Sequence, residues 1–240
     1  MTQKSRMKPK NDERTIMNLS KSFEFFDPNT CKKRIHMIGC GSVGSTVVEL
    51  LARFGLEKFA LYDFDHVEPH NIINQMFTQK DVGKEKVEAV KEMILAINPD
   101  ANIKVYPAGW QGEDLDGYVF LGLDNIELRK QIATASRFNE AVEAMFDFRT
   151  GLTDAQHFAA DWKDVKAKKS FIDSMNFTHE QAQQETRMSA CNIAMCVAPT
   201  VRMIANVGVT NFINFLKGEH LYKIITLDAF NFERGIEAVG

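Results

Sequence analysis

Two hydrophobic periods alternate along this chain. Ile35 to Ile38 read as a short buried strand, and Val47, Val48, Leu50, Leu51 and Phe54 then fall at helical spacing. Lys58 to Tyr62 read as a second strand. A helix from Lys84 carries Val87, Val90, Ile94 and Ile97 on one face, and Asn98-Pro99 stops it. Asn102 to Tyr106 read as a third strand. Tyr118 to Leu123 is an apolar run of the kind found in buried parallel strands. Ile126 to Phe138 reads as a helix, and Ala144 to Phe148 and Ala155 to Ala160 as two more strands. Pro199 to Leu216 is an apolar helix with Val201, Ile204, Ala205, Gly208, Phe212 and Phe215 on its inner face. Lys223 to Leu227 reads as a late strand and 230–240 as a short tail. The expected fold is α/β and Rossmann-like. Its sheet is mostly parallel, with helices on both faces and antiparallel strands in the C-terminal half.

Other stretches carry weaker patterns. Residues 1–13 are expected to be a flexible N-terminus. Arg14 to Phe26 reads as a helix with Ile16, Leu19 and Phe23 on one face, and Asp27-Pro28-Asn29-Thr30 as a turn. Residues 162–188 are rich in Lys, Gln, Glu and Asp. They read as a mobile or crossing segment with partial helix. At 240 residues the chain is long enough for one α/β domain.

Composition narrows the function. Hydrophobic residues make up 45% and charged residues 25%, as in soluble globular proteins. A formal net charge of −3 gives no support for nucleic acid as the main partner. No run of 18 apolar residues suggests a membrane span, and Met1 to Lys10 lacks the apolar core of a signal peptide. The four cysteines, Cys31, Cys40, Cys191 and Cys196, form no secreted framework, so reduced thiols and a cytoplasmic location are expected. There is no C-x-x-C pair, and no structural zinc site is expected.

The candidate chemistry gathers around Gly39-Cys40-Gly41-Ser42-Val43-Gly44. This turn lies between the first strand and its helix, and the second strand ends in Asp63, 19 residues past Gly44. Strand, glycine turn, helix, strand and acid form the dinucleotide-binding pattern. The glycines permit close approach of a phosphate, and the helix N-terminus presents free N–H groups. Asp63 can accept hydrogen bonds from ribose hydroxyls. The alternative is a turn kept for helix–sheet packing. A long polar excursion follows, from Phe64 to Gln75, in which Asn71 and Gln75 lie four apart and can face the same way. They are candidate ligands for phosphate or ribose, or plain surface amides. Lys86 is a candidate counter-charge to a triphosphate, with Lys84 an equally available cation.

Asp124 ends the apolar run at the carboxyl edge, where ligands sit in open α/β sheets. It suits Mg²⁺, or it caps the helix that follows. Arg129 contacts phosphate or sits in that helix. Cys191 and Cys196 precede the last long helix, where a thiol can be acidified, or they are inert core residues. Cys40 reads as small packing. Arg149 and His157 are candidates for the substrate side.

Together these residues resemble the ThiF/MoeB family, the bacterial relatives of ubiquitin-activating enzymes. The resemblance rests on the glycine turn, Leu61 to Val67, Asn71 with Gln75, Gly83 with Lys86, Leu123-Asp124-Asn125 with Arg129, and Cys191 to Pro199 before the apolar helix and Leu227-Asp228-Ala229. It covers roughly residues 14 to 235. It implies an adenylyltransferase that uses ATP and Mg²⁺ to activate the C-terminal glycine of a small ubiquitin-like or sulfur-carrier protein, releasing pyrophosphate. A homodimer is implied as well. Gly39, Gly41, Ser42 and Gly44 would shape the nucleotide site. Asp63 would bind ribose, Asp65 would stand near the phosphates, and Asn71, Gln75 and Lys86 would grip the nucleotide. Asp124 would hold Mg²⁺. Cys191 would match the cysteine that takes the acyl group in some members. Arg14 would reach a second protomer's site.

The sequence departs from the family's pattern at Asn74, where an arginine usually precedes the glutamine. That departure leaves a second reading open: a non-catalytic nucleotide-binding scaffold, or the passive half of a heterodimer. A third is an NAD-dependent oxidoreductase, which needs a Tyr or His acid/base near a nicotinamide.

Overall fold

The computed structural model describes residues 17–178, 180–181, 195–231 and 233–237. Within them lies one eight-stranded sheet. In chain order its strands are β1 (Ile35–Ile38), β2 (Lys58–Tyr62), β3 (Asn102–Tyr106), β4 (Gly117–Leu121), β5 (Val142–Thr150), β6 (Asp154–Asp161), β7 (Ile224–Asp228) and β8 (Glu233–Glu237). Across the sheet the order is β3-β2-β1-β4-β5-β6-β7-β8. The first five positions run parallel, and β6, β7 and β8 each pair antiparallel to their predecessor. The mostly parallel sheet with antiparallel C-terminal strands agrees with the sequence reading.

Helices cover both faces. On one lie α1 (Ser42–Arg53), α2 (Lys86–Ile97) and α5 (Ala198–Leu216). On the other lie α3 (Ile126–Ala135) and α4 (Val165–Asp173). Strand alternation explains the two cores. Ile35 and Met37 face the first, while Ile38 and the buried Tyr62 face the second. Every residue of β1 and β4 is buried, as expected of central parallel strands. On the α5 side, Phe120, Phe146 and Phe212 meet with centroids 4.7–5.2 Å apart, stacked or edge-on. Each such pair adds about 0.5–1.5 kcal/mol beyond area burial.

Three expectations change. The described part of the N-terminal helix, residues 17–26, is a run of turns. There the Asn18 side chain accepts from Ser20 N–H, and the Ser22 hydroxyl donates to the Leu19 carbonyl. Such local bonds compete with helix. The start of the 162–188 segment is ordered: Asp164 caps α4, and Trp162, Ala167, Phe171 and Met175 are buried. Its apolar positions lie four apart among lysines, so the stripe is narrow. The C-terminal tail contains β8, which extends the sheet beyond β7.

Candidate nucleotide site

The strand order reverses direction at β1, which lies between β2 and β4. Ligands in open α/β sheets bind outside the carboxyl ends of the strands at such a point. The turn after β1 and the turn after β4 meet here. Gly39 has φ +92°, and a Cβ on it would lie 2.7 Å from Gly122 C and from Leu123 N. A Cβ on Gly44 would lie 1.9 Å from the Gly39 carbonyl oxygen. Gly39 and Gly44 are therefore demanded by packing. Gly41 differs, since among the described residues a Cβ there meets nothing within 4 Å. It is the N-cap of α1 and makes no side-chain cap. By contrast Asn125 caps α3 and Asp164 caps α4 through their side chains. The first N–H groups of α1 thus face an open side, available to an anion.

Asp63 borders this opening. Its Oδ2 accepts from Cys40 N–H at 2.6 Å and its Oδ1 from Asp65 N–H at 2.9 Å. Burial pushes its pKa up, and the two N–H groups and the Lys86 ammonium oppose that rise. Lys86 is buried and its ammonium donates to Asp65 Oδ2 at 2.8 Å. Its backbone N–H also donates to the Asp65 carbonyl. This pair closes the excursion between β2 and α2.

Within the excursion, Pro69–Ile73 form a 3-10 turn. Asn71 is buried, and its Oδ1 accepts from Glu68 N–H at 2.9 Å, so that oxygen holds the turn together. The Gln75 N–H donates to the Asn71 carbonyl, and the Met76 N–H donates to Ser45 Oγ on α1. These bonds pin the excursion to the first turns of α1. The side-chain Oε1 of Gln75 is buried without a hydrogen-bond partner in the described structure. Such an orphan acceptor calls for a donor, and ribose hydroxyls are donors.

Asp124 is exposed and, among the described residues, makes no hydrogen bond or ion pair. The capping alternative for it is excluded, since Asn125 caps α3 instead. One free carboxylate beside an anion site fits Mg²⁺ held mainly by phosphate oxygens and water.

Several candidates prove to be structural. Arg129 is buried and turns away to β5, where it donates to Asp147 Oδ1 at 2.5 Å, to the Phe148 carbonyl and to the Leu123 carbonyl. Arg149 donates to the other oxygen of Asp147 and to Ser174, and stacks over Phe158. His157 is sealed in the core between Asp147 and Asn211, and burial pulls its pKa down to about 4. Arg149 and His157 are held by these contacts, while Arg129 Nε is buried without a hydrogen-bond partner among the described residues. Lys84 is spent on Asp81 and Glu92. Cys40 is fully buried, so its thiol pKa lies well above the ordinary value. The Cys196 thiol is also pushed up by burial, although Thr150, Asn74 and Ser42 hydrogen-bond it. Arg14 and Cys191 lie outside the described residues.

Two residues escaped the sequence reading. Gly122 lets β4's end approach the turn: a Cβ there would lie 2.7 Å from Met37 Cε. Its signal was a glycine two residues before Asp124. Arg202 reaches from α5 to α1, donating to Thr46 Oγ1 at 2.9 Å. Its signal was a single charged residue within the apolar stretch 195–216.

The ThiF family model matches residues 29–238. The chain belongs to the ThiF family. This ThiF-family chain is 37% identical over 75 residues to ubiquitin-like modifier-activating enzyme 5 of Caenorhabditis elegans, a match spanning 31% of this chain and 18% of that protein. The protein of the same name from Drosophila willistoni is 36% identical over 90 residues, which is 38% of this chain and 21% of that protein. The matched stretches span about a fifth of those curated relatives. Among solved structures, E. coli MccB with ATP has a TM-score of 0.64 at 18% identity, over 89% of this chain and 66% of that one. PaaA has a TM-score of 0.67 at 18% identity, over 88% and 66%. These two likenesses are of fold.

Proposed function

We propose that this chain is an ATP-dependent adenylyltransferase that activates the C-terminal carboxylate of a small ubiquitin-like or sulfur-carrier protein. The observation that carries the reading is the N-terminus of α1, uncapped by a side chain, beside Gly41, with Asp63 bonded to the Cys40 N–H of the same turn. The Lys86–Asp65 pair, the unpartnered Gln75 Oε1 and exposed Asp124 add to it. The names of the relatives and the ATP-bound form of E. coli MccB support it. So does MccB with AMPCPP and MccA.

Asp63, locked by two backbone N–H groups, accepts from the ribose hydroxyls. Gln75 Oε1 accepts from the same sugar. The N–H groups of Ser42 and Val43 receive phosphate oxygens, and Lys86 brings positive charge. Asp124 would hold Mg²⁺, which would supply positive charge against the phosphates. An oxygen of the carrier's terminal carboxylate attacks the α-phosphorus. The bond from that phosphorus to the bridging oxygen breaks, and pyrophosphate leaves. The chain's contribution is positioning and charge. The Cys191 thiolate then attacks the acyl carbon; a thioester forms, the bond from that carbon to the phosphate oxygen breaks, and AMP leaves. The working form is a homodimer.

ATP–pyrophosphate exchange tests the reading with carriers ending in glycine, for the chain itself and for Asp124→Ala. Exchange that the substitution abolishes is the expected result. Tight ATP binding without exchange on any carrier would sink the catalytic reading.

A second reading, a nucleotide-binding scaffold or passive subunit, is favoured by one contact. Asn74 Nδ2 donates to the Cys196 carbonyl at 3.2 Å, so residue 74 serves as a tether and brings no charge. Activity gained by Asn74→Arg in the isolated chain would support it. The oxidoreductase reading gains nothing from His157, which is sealed in the core, or from Tyr62, whose phenol burial pushes up.

A further inference from the structure

The cations around the glycine turn are mostly matched by carboxylates. Lys86 has Asp65, Lys84 has Asp81 and Glu92, and Arg129 and Arg149 share Asp147. Arg202 differs. Among the described residues its guanidinium meets no carboxylate. Its Nη1 donates to Thr46 Oγ1 at 2.9 Å and rests against Met76 Sδ. Thr46 Oγ1 in turn donates to the carbonyl of Ser42, the first residue of α1. Met76 follows Gln75 and is itself bonded to Ser45. The guanidinium therefore lies where α1, α5 and the Gln75 segment converge. Thr46 is four residues along α1 from Ser42, about 6 Å on the helix axis.

Placing a half-buried cation without an anion costs free energy. The helix that carries it is otherwise uncharged from end to end. Nothing in the packing of α5 requires a guanidinium, since Thr46 and Met76 are neutral. Yet the open N-terminus of α1 faces a ligand that, on the ATP reading above, carries three phosphates. With Lys86 already paired, the described residues offer that ligand little other free positive charge.

We propose that Arg202 contacts the phosphate chain of the bound nucleotide, delivering from α5 the charge that the amide at Asn74 does not supply. The proposal rests on the ATP reading. The arginine waits on Thr46 and moves roughly one helical turn, about 6 Å, toward the α1 N-terminus when the triphosphate arrives. Its planar fork suits two phosphate oxygens at once.

The test is calorimetric titration of the whole chain with ATP·Mg, adenosine and inorganic tripolyphosphate. It compares wild type, Arg202→Gln and Arg202→Lys, with thermal melting alongside. The expected result for Arg202→Gln is that ATP and tripolyphosphate bind at least about tenfold more weakly, as for loss of one charge-assisted contact. Adenosine should stay within about twofold, and Arg202→Lys should recover part of the loss. Unchanged ATP affinity in Arg202→Gln would overturn the proposal. So would an equal loss for ATP and adenosine, which marks Arg202 as a packing residue only. If wild type binds no ATP, the adenylation reading falls. Tripolyphosphate binding that needs Arg202 would then still identify the anion contact, and its absence would end both.

Discussion

The Lys86 ammonium donates to Asp65 Oδ2 at 2.8 Å while the Lys86 backbone N–H donates to the Asp65 carbonyl. Two bonds join one residue pair across the mouth of the polar excursion. Lys86 has a side chain 10% exposed, and Asp65 one 50% exposed. An arriving phosphate competes with a half-solvated carboxylate for the ammonium, so the pair holds the cation ready without locking it. Lys86→Met keeps the apolar stem and removes the charge. Its expected cost to stability is about 1 kcal/mol or less, because the partner is half exposed. Its expected cost to ATP–pyrophosphate exchange is roughly 10²-fold, typical for loss of one preorganised charge. Chemical denaturation and the exchange assay check the two numbers separately. Exchange at the wild-type rate would leave Lys86 as a counter-ion to Asp65 and nothing more.

His157 predicts a pH dependence of folding. Its Nε2 accepts from Asn211 Nδ2, so Nδ1 carries the proton and donates to the Asp147 carbonyl. Burial is the main cause that lowers its pKa from 6.5 to about 4. Between these values the unfolded chain binds a proton that the native chain does not. Stability is therefore fully present above about pH 6.5 and is lost as pH falls toward 4. At pH 5 this one group removes about 2 kcal/mol relative to pH 8. Urea denaturation of wild type and His157→Gln at pH 5 and 8 should show the wild type losing about that much more. Equal losses would mean that His157 does not titrate in this window.

The legibility of the chain followed the range of its interactions. The glycine turn, Asp63 and the strand–helix order are local patterns, and they were readable without structure. The roles of Arg129, Arg149 and His157 depend on Asp147. Arg129 meets that carboxylate from 18 positions away, from α3 onto β5. No spacing rule shows that a cation is already spent. Arg202 meets Thr46 across 156 positions, and this contact was invisible for the same reason. The 162–188 segment read only as partial helix, without the bounds of α4, because Ala167 and Phe171 are its buried residues, set among exposed or half-exposed lysines. Strand β8 was missed because its place is set by pairing with β7.

The glycines of the turn divide by what surrounds them, and this separates folding from binding. A methyl group on Gly44 would meet the Gly39 carbonyl at 1.9 Å. That carbonyl is part of the turn and cannot retreat without moving β1. Gly44→Ala is expected to destabilise by about 3 kcal/mol, in the range of overpacked cores. Gly41 has a negative φ, −77°, with ψ −139°, and among the described residues open space where a Cβ would point. Gly41→Ala should therefore melt within about 0.5 kcal/mol of wild type, as a surface change does. If that open space is the phosphate cradle, the added methyl group fills it. Affinity for ATP·Mg should fall at least about tenfold, the loss of one charge-assisted contact, while the fold stays intact. Thermal melting and calorimetric titration on both variants decide it. A Gly41→Ala chain that binds ATP like wild type would place the phosphates elsewhere and detach the turn's open side from nucleotide binding.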